Sequence, residues 1–147
     1  MAYALITGAS KGIGKAIAFE LAGHKYDLLL TARSVEHLQQ AAEEIKKQYS
    51  VTVHFLPLDL SELNASQKLF DWCVENNFQV AALVNNAGFG LSGYFEDQLP
   101  KEINGLLQLN IHVPTQLCLL FIPLLKKQKQ AYILNTCSST ADRKSVV

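Results

Sequence analysis

The stretch from Tyr3 to Gly14, YALITGASKGIG, decides the fold of this chain. An apolar run ends in three glycines, and a segment with helically spaced apolar residues follows. Gly8 permits a tight turn after a strand, Gly12 lets the backbone approach an anion, and Gly14 lets a helix pack close to the strand. The first turn of that helix offers N–H groups and a positive dipole end to the anion. A flexible loop also explains three glycines, but the strand and helix patterns around them favour a dinucleotide-binding turn.

Apolar strand patterns alternate with helical patterns along the rest of the chain, which is typical of a parallel sheet covered on both faces. Predicted strands lie near residues 2–7, 26–32, 51–56, 80–84 and 131–136, and predicted helices near residues 12–24, 34–49, 61–76 and 100–127. Ser34 and Ser61 are expected to cap the second and third helices. Pro114 and Pro123 are expected to bend or divide the fourth.

The composition indicates one globular domain over residues 1–147. Hydrophobic residues make up 49% of the chain, and 13 Lys and Arg balance 13 Asp and Glu. This balance predicts no attraction to nucleic acid or to an anionic membrane surface. The longest apolar run, Leu117–Leu125, contains Pro123 and is too short to span a bilayer. Because the N-terminus carries no secretion signal, the pattern predicts a cytoplasmic protein.

Neither the cysteines nor the histidines suggest a metal site. Cys73, Cys118 and Cys137 lack metal-ligand spacing and are interpreted as reduced core thiols. The four histidines form no cluster in the sequence and are interpreted as surface or core residues: His24, His37, His54 and His112.

Four short segments carry a family pattern. They are Thr7–Gly14 (T-G-x-x-x-G-x-G), Asp59-Leu60, Asn85-Asn86-Ala87-Gly88 and Asn135-Thr136-Cys137-Ser138. In this order they resemble the short-chain dehydrogenase/reductase family over roughly residues 2–141. The resemblance implies an α/β fold with a doubly wound, Rossmann-type parallel sheet in the order 3-2-1-4-5. It also implies an oxidoreductase that transfers hydride between a nicotinamide cofactor and a small-molecule carbonyl or alcohol substrate.

The end of the second strand predicts which nicotinamide cofactor binds. A chain that binds NAD usually places an acid there, which accepts from the ribose 2′-hydroxyl. This chain has Ala32 and Arg33 instead, and Arg33 can hold a 2′-phosphate through a forked, charge-assisted contact. Lys11 matches the second basic position of the family near that phosphate. Both residues could be ordinary solvated charges, but together they favour NADP(H).

The resemblance implies further cofactor contacts along the matching segments. The cofactor-binding residues are then Gly8, Ser10, Lys11, Gly12, Ile13, Gly14, Arg33, Asp59, Leu60, Asn85, Ala87 and Gly88. In the family, the acid matching Asp59 accepts from the adenine amino group and the next N–H contacts the ring. Alternatively, Asp59 is a plain acid at a helix start. The segment Asn85–Gly88 cross-links strands and contacts the cofactor in the family, although it could form only a turn.

Two residues match catalytic positions of the family. Ser138 matches the serine whose hydroxyl donates to the substrate carbonyl oxygen, and Ser139 is the neighbouring alternative. Asn110 matches an asparagine that helps to hold a proton-relay water. An asparagine is unfavourable inside a helix, which supports a special purpose for Asn110.

The chain departs from the family beyond its matching serine. The family places a Tyr about thirteen residues later and a Lys four residues after that, near position 151 and past Val147. We therefore expect a C-terminally truncated cofactor-binding part with little or no turnover. The alternative is a non-catalytic nucleotide-binding or interaction module. An open edge at the fifth strand and an apolar fourth helix, which relatives use to dimerise, predict a homo-oligomer.

Overall fold

Five parallel strands form one sheet in the order β3-β2-β1-β4-β5, in a computed structural model that describes residues 2–138. The strands are β1 (Tyr3–Thr7), β2 (Asp27–Ala32), β3 (Val53–Pro57), β4 (Val80–Asn85) and β5 (Tyr132–Asn135). The helices are α1 (Gly12–Gly23), α2 (Val35–Gln48), α3 (Ala65–Glu75), α4 (Pro100–Leu107) and α5 (Val113–Leu125). The predicted strand order and the helices on both faces are confirmed.

The core lies in two layers because successive strand side chains point to opposite faces of the sheet. Ala4 and Ile6 of β1 pack with α1 and α2 on one face. Leu5, between them, packs with α3 and α5 on the other. β1 and β2 are thus buried from both sides, which explains their nearly continuous apolar sequence.

The start of α3 differs from the prediction, whereas the start of α2 does not. Ser34 caps α2 by accepting from the backbone N–H of His37 at 3.3 Å. α3 begins at Ala65, preceded by Asn64 in a left-handed conformation with φ of 62°. Ser61 does not cap it, because its N–H and hydroxyl both donate to Asp59.

The predicted fourth helix is interrupted once, directly before Pro114. A π-helical turn over Gln108–His112 separates α4 from α5, and the N–H of Val113 donates to the carbonyl of Gln108. Pro114 has no N–H to donate to the carbonyl four residues earlier, so the chain widens just before it. α5 continues through Pro123.

The stretch Pro100–Leu125 spans 26 helical residues and, by length and composition alone, could cross a membrane. The expectation drawn from Leu117–Leu125 considered only the C-terminal part of this longer helical stretch. Four side chains at four-residue spacing are buried against α3 and the sheet, so one face of α5 packs in the core. They are Val113, Leu117, Phe121 and Leu125.

The cysteines lie in three different environments. Cys73 is buried under α5, Cys118 is partly buried, and Cys137 is exposed after β5. The interpretation of all three as core thiols is therefore wrong for Cys137. Burial raises the pKa of the Cys73 thiol to about 12. Within residues 2–138, no group of three or more His, Cys, Asp or Glu could hold a metal ion.

Candidate functional site

The glycine turn between β1 and α1 has the geometry of an anion cradle. Gly8 and Gly12 have φ of +66° and +56°, and residues that carry a side chain rarely adopt such backbone angles. A Cβ at Gly14 would collide with the carbonyl oxygen of Gly8 and the side-chain amide of Asn86. Apart from its chain neighbours and the backbone of its own helix, no atom of the described chain lies within 4 Å of a Cβ built at Gly12, so that residue faces open space. The turn at Gly8 and the close packing at Gly14 agree with the sequence, while the approach of an anion at Gly12 stays a prediction.

Asn86 and Thr7 fix this turn to the end of β4. The Asn86 amide donates to the carbonyls of Thr7 and Gly8, at 3.0 and 3.2 Å. The Thr7 hydroxyl accepts from the backbone N–H groups of Asn86 and Ala87, both at 2.9 Å, and donates to Val84 at 3.3 Å. Asn86 was not among the predicted site residues, although its place beside Asn85 could have drawn attention to it.

A cleft of about 660 Å³ opens above this turn, at the carboxyl ends of the strands. Most of the predicted cofactor residues meet there: Gly8, Ser10, Lys11, Gly12, Arg33, Asp59, Leu60, Ala87 and Gly88. The described chain adds residues that the sequence did not single out for binding: Ala32, Ser34, His37, Leu58, Ser61, Asn86, Phe89 and Leu109. Three predicted residues do not line it: Ile13, Gly14 and Asn85. Ile13 is 63% exposed beside the turn, and Gly14 acts by packing.

One rim of the cleft is basic. Lys11 from the glycine turn and Arg33 from the end of β2 are both exposed there, and Ala32 supplies no competing carboxylate. In the described chain, the Lys11 side chain makes no capping bond to α1, and the first turn of α1 carries no acid. The N–H groups of that turn and the two cations therefore favour an anion.

Asp59, which follows the neighbouring strand β3, also lines the cleft. Its Oδ1 accepts from the backbone N–H and the hydroxyl of Ser61, at 2.9 and 2.6 Å. These bonds, together with the more distant Arg33, hold the pKa of the carboxyl below its ordinary value in spite of partial burial. Asp59 is therefore a turn-forming acid and a lining residue at once, so the two sequence interpretations are compatible.

Asn85 serves the sheet. Its side chain is buried, and Nδ2 donates to Oδ1 of Asn135 at 2.8 Å, with the Cys118 sulfur at 3.4 Å. The two asparagines face each other in the register of β4 and β5. The predicted cross-linking of neighbouring strands is thus present in the structure, while the side chain lies outside the cleft lining.

Asn110 lies in the π-helical turn and holds the loop after β4. Its Oδ1 accepts from the N–H of Phe89 at 3.1 Å, and its Nδ2 donates to the Phe89 carbonyl at 2.8 Å. A Cβ at Gly88 would approach the Asn110 oxygen to 3.0 Å. Asn110 therefore positions the loop that closes one end of the cleft.

Ser138 follows β5 at the carboxyl ends of the strands, the edge of the sheet at which the cleft opens. The ladder extends past the strand, because the N–H of Thr136 donates to the carbonyl of Asn85 at 2.9 Å. Ser138 is exposed. The alternative serine, Ser139, lies outside the described residues, so the choice between the two stays a prediction.

The residues of the cleft fit a dinucleotide. The glycine turn leaves space for a phosphate at Gly12, and the basic rim suits a second anionic group. Apolar side chains such as Leu60 and Leu109 offer surface for rings.

Comparison with known proteins agrees with this geometry. A family model described as short chain dehydrogenase matches residues 2–147. The very-long-chain 3-oxoacyl-CoA reductase of Anas platyrhynchos is 34% identical over 142 residues, which cover 94% of this chain and 45% of that protein. The 17-beta-hydroxysteroid dehydrogenase type 3 of Mus musculus is 32% identical over 146 residues, covering 96% and 46%.

A solved alcohol dehydrogenase from the archaeon Thermococcus sibiricus, complexed with 5-hydroxy-NADP, superimposes with a TM-score of 0.90. It is 32% identical, and the match covers 99% of this chain and 61% of that one. The chain spans about half the length of the curated relatives it matches. It belongs to the short-chain dehydrogenase family.

Proposed function

We propose that the chain binds NADP(H) as the nucleotide-binding part of an oxidoreductase acting on a carbonyl or alcohol. The cleft carries the proposal, because it joins an open glycine turn to a basic rim at Lys11 and Arg33. Ala32 stands where an acid would favour NAD. Similar solved structures support this choice, among them a metagenomic short-chain oxidoreductase in complex with NADP, with 32% identity and a TM-score of 0.84.

Different lining residues would contact different parts of the cofactor. The glycine turn would take the pyrophosphate, and Arg33 with Lys11 would take the 2′-phosphate. Leu60 and Asp59 would hold the adenine, the first by apolar contact and the second through its remaining acceptor capacity. Gly88 and the loop held by Asn110 would leave room for the nicotinamide end.

Turnover is a separate part of the proposal. The bound cofactor would supply the hydride, and the Ser138 hydroxyl would donate to the substrate oxygen as negative charge develops there. All five tyrosines of the chain precede Ser138, so the Tyr-x-x-x-Lys pair of the family is not within these 147 residues. We therefore expect NADPH binding without measurable carbonyl reduction. Reduction of an aldehyde or ketone panel that Ser138→Ala abolishes would contradict this.

Binding of NADPH and NADH, followed by nucleotide fluorescence, tests the cofactor proposal. Two charge-assisted hydrogen bonds of about 1.5–3 kcal/mol each set a preference of roughly a hundredfold or more for NADPH. Replacing Arg33 by Ala and Ala32 by Asp should reverse the order, whereas Lys46→Ala, at the far end of α2, should leave it unchanged. Equal affinities in the unmodified chain would refute the proposal.

A homo-oligomer is the proposed state of association. Apolar side chains of α4, the π-helical turn and α5 face outward in the described chain: Leu107, Ile111, Leu119 and Ile122. Leu107 and Ile111 are about one helical turn apart, as are Leu119 and Ile122, and two turns that include the exposed Thr115 separate the pairs along this outward stripe. Among residues 2–138, β5 is an edge strand of the sheet. Leu117, in the same helix as the stripe, is fully buried and belongs to the core.

A further inference from the structure

His37 lines the cleft together with Lys11, Arg33 and Ser34. It is the third residue of α2, and its backbone N–H donates to the Ser34 hydroxyl at 3.3 Å. This bond fixes the start of α2 directly after Arg33. The sequence interpretation of His37 as a plain surface or core residue did not include this placement at the basic rim.

Two cations and one carboxylate share the cleft lining with His37. Lys11 comes from the glycine turn and Arg33 from the end of β2. Glu36 precedes His37 on its own helix and is exposed, but it is not part of the cleft lining in the described chain. Asp59 also lines the cleft and already accepts two hydrogen bonds from Ser61.

We infer that His37 is a specificity-determining residue that donates, with Lys11 and Arg33, to a phosphate on the ribose 2′-position of the nucleotide. This inference rests on the proposed function. A protonated imidazole donates a charge-assisted hydrogen bond to phosphate, and histidine side chains gain this charge between about pH 8 and pH 5. A phosphate monoester keeps its second negative charge above about pH 6. The preference for NADPH over NADH therefore rises as the pH falls from about 8 to about 6.5.

The effect is modest because His37 is exposed. Solvent screens a surface charge pair, so the protonated ring should change the ratio of the two dissociation constants by about threefold to fivefold. Arg33, charged throughout this range, supplies the larger, pH-independent part of the preference.

The test measures the dissociation constants of NADPH and NADH at about pH 6.5 and pH 8 for the full chain and three variants. His37→Gln should remove the pH dependence of the ratio and leave NADH binding unchanged. His37→Lys, which keeps a positive charge, should hold the preference high at both pH values. His24→Gln is the matched control, because His24 is an exposed histidine that pairs with Glu20 at 3.3 Å and lies outside this cleft.

The outcomes separate this inference from the proposed function. A preference for NADPH whose pH dependence survives His37→Gln would overturn the role of His37 and leave the cofactor proposal intact. If neither nucleotide binds the unmodified chain, the cofactor proposal fails and the role of His37 fails with it. Circular dichroism of each variant checks that the fold is retained, and if His37→Gln does not fold, the ratio measured for His37→Lys decides.

Discussion

The two sides of β1 differ in how their apolar surface is covered. On one side, β2 is buried along nearly its whole length between α1, α2 and the opposite layer. On the other side, every residue of β5 is exposed, and a groove of about 610 Å³ runs between β5 and α1. The nucleotide cleft is built mainly by the covered side. We therefore expect nucleotide binding to depend mainly on the covered side, and association to depend on the other.

Within the β4 side, two leucines on α5 give the sharpest contrast between a buried and an outward-facing position. Leu117 is fully buried, whereas Leu119, two positions later, is 75% exposed. Leu117→Ala should lower the free energy of unfolding by about 3 kcal/mol, because it removes buried methyl groups and leaves a cavity. Leu119→Ala should change it by less than about 0.5 kcal/mol. Urea denaturation measures both.

A charged side chain at position 119 tests the outward apolar stripe on α4, the π-helical turn and α5. Leu119→Lys should leave the unfolding free energy nearly unchanged and shift sedimentation toward the monomer, because a charge would disrupt an apolar contact between copies. A wild-type chain that is monomeric at tens of micromolar would contradict the proposed association, and equal losses of stability at both leucines would contradict the assignment of the two faces.

The glycine turn gives a second, smaller contrast within the covered side. Gly14→Ala should cost about 2 kcal/mol, because its Cβ would collide with the Gly8 carbonyl and the Asn86 amide. Gly12→Ala should cost about 1 kcal/mol, from the left-handed backbone alone, since its Cβ would meet open space. It should weaken NADPH binding more than it weakens the fold. Parallel chemical denaturation and nucleotide titration check both variants, and the opposite ranking of stability would show that the turn is packed differently.

The sequence predicted the fold well because its signals were local. The apolar runs, the glycine turn and the cap at Ser34 each act through near neighbours, and all are present in the structure. The start of α3 was predicted four residues early. Serine is a typical helix cap, but Ser61 donates its hydrogen bonds to Asp59 instead. The π-helical turn was also missed, since prolines show where a helix is disturbed without showing how the chain accommodates it.

The candidate site was predicted less completely because side-chain direction depends on distant partners. Asn85 and Asn86 are adjacent and chemically identical, yet one cross-links β4 to β5 and the other joins β4 to the glycine turn. The pleat of β4 and the two elements beside it decide which asparagine faces β5 and which faces the glycine turn. His37 shows the same limit, since its role at the rim depends on how α2 leaves β2.

The smallest expected effect concerns the Ser61–Asp59 contact on the cleft wall. The hydrogen bonds of Ser61 hold the pKa of Asp59 below its ordinary value, so this carboxylate stabilises the fold above its unfolded-state pKa. That contribution is lost as the pH falls through the lower pKa of the folded state. Ser61→Ala should therefore reduce the unfolding free energy at neutral pH by at most about 0.5 kcal/mol, because the pair is partly exposed.

The difference between Ser61→Ala and the unmodified chain should shrink as the pH falls through the lowered folded-state pKa of Asp59, because below it the carboxyl is protonated in both folded forms. Ser50→Ala, at an exposed serine after α2, is the control and should change the unfolding free energy at neither neutral nor acid pH. A difference that stays constant from neutral to acid pH would show that Ser61 contributes through neutral contacts alone. In that case the carboxylate wall of the cleft would owe its low pKa to Arg33, and Arg33→Ala would then move the acid transition where Ser61→Ala does not.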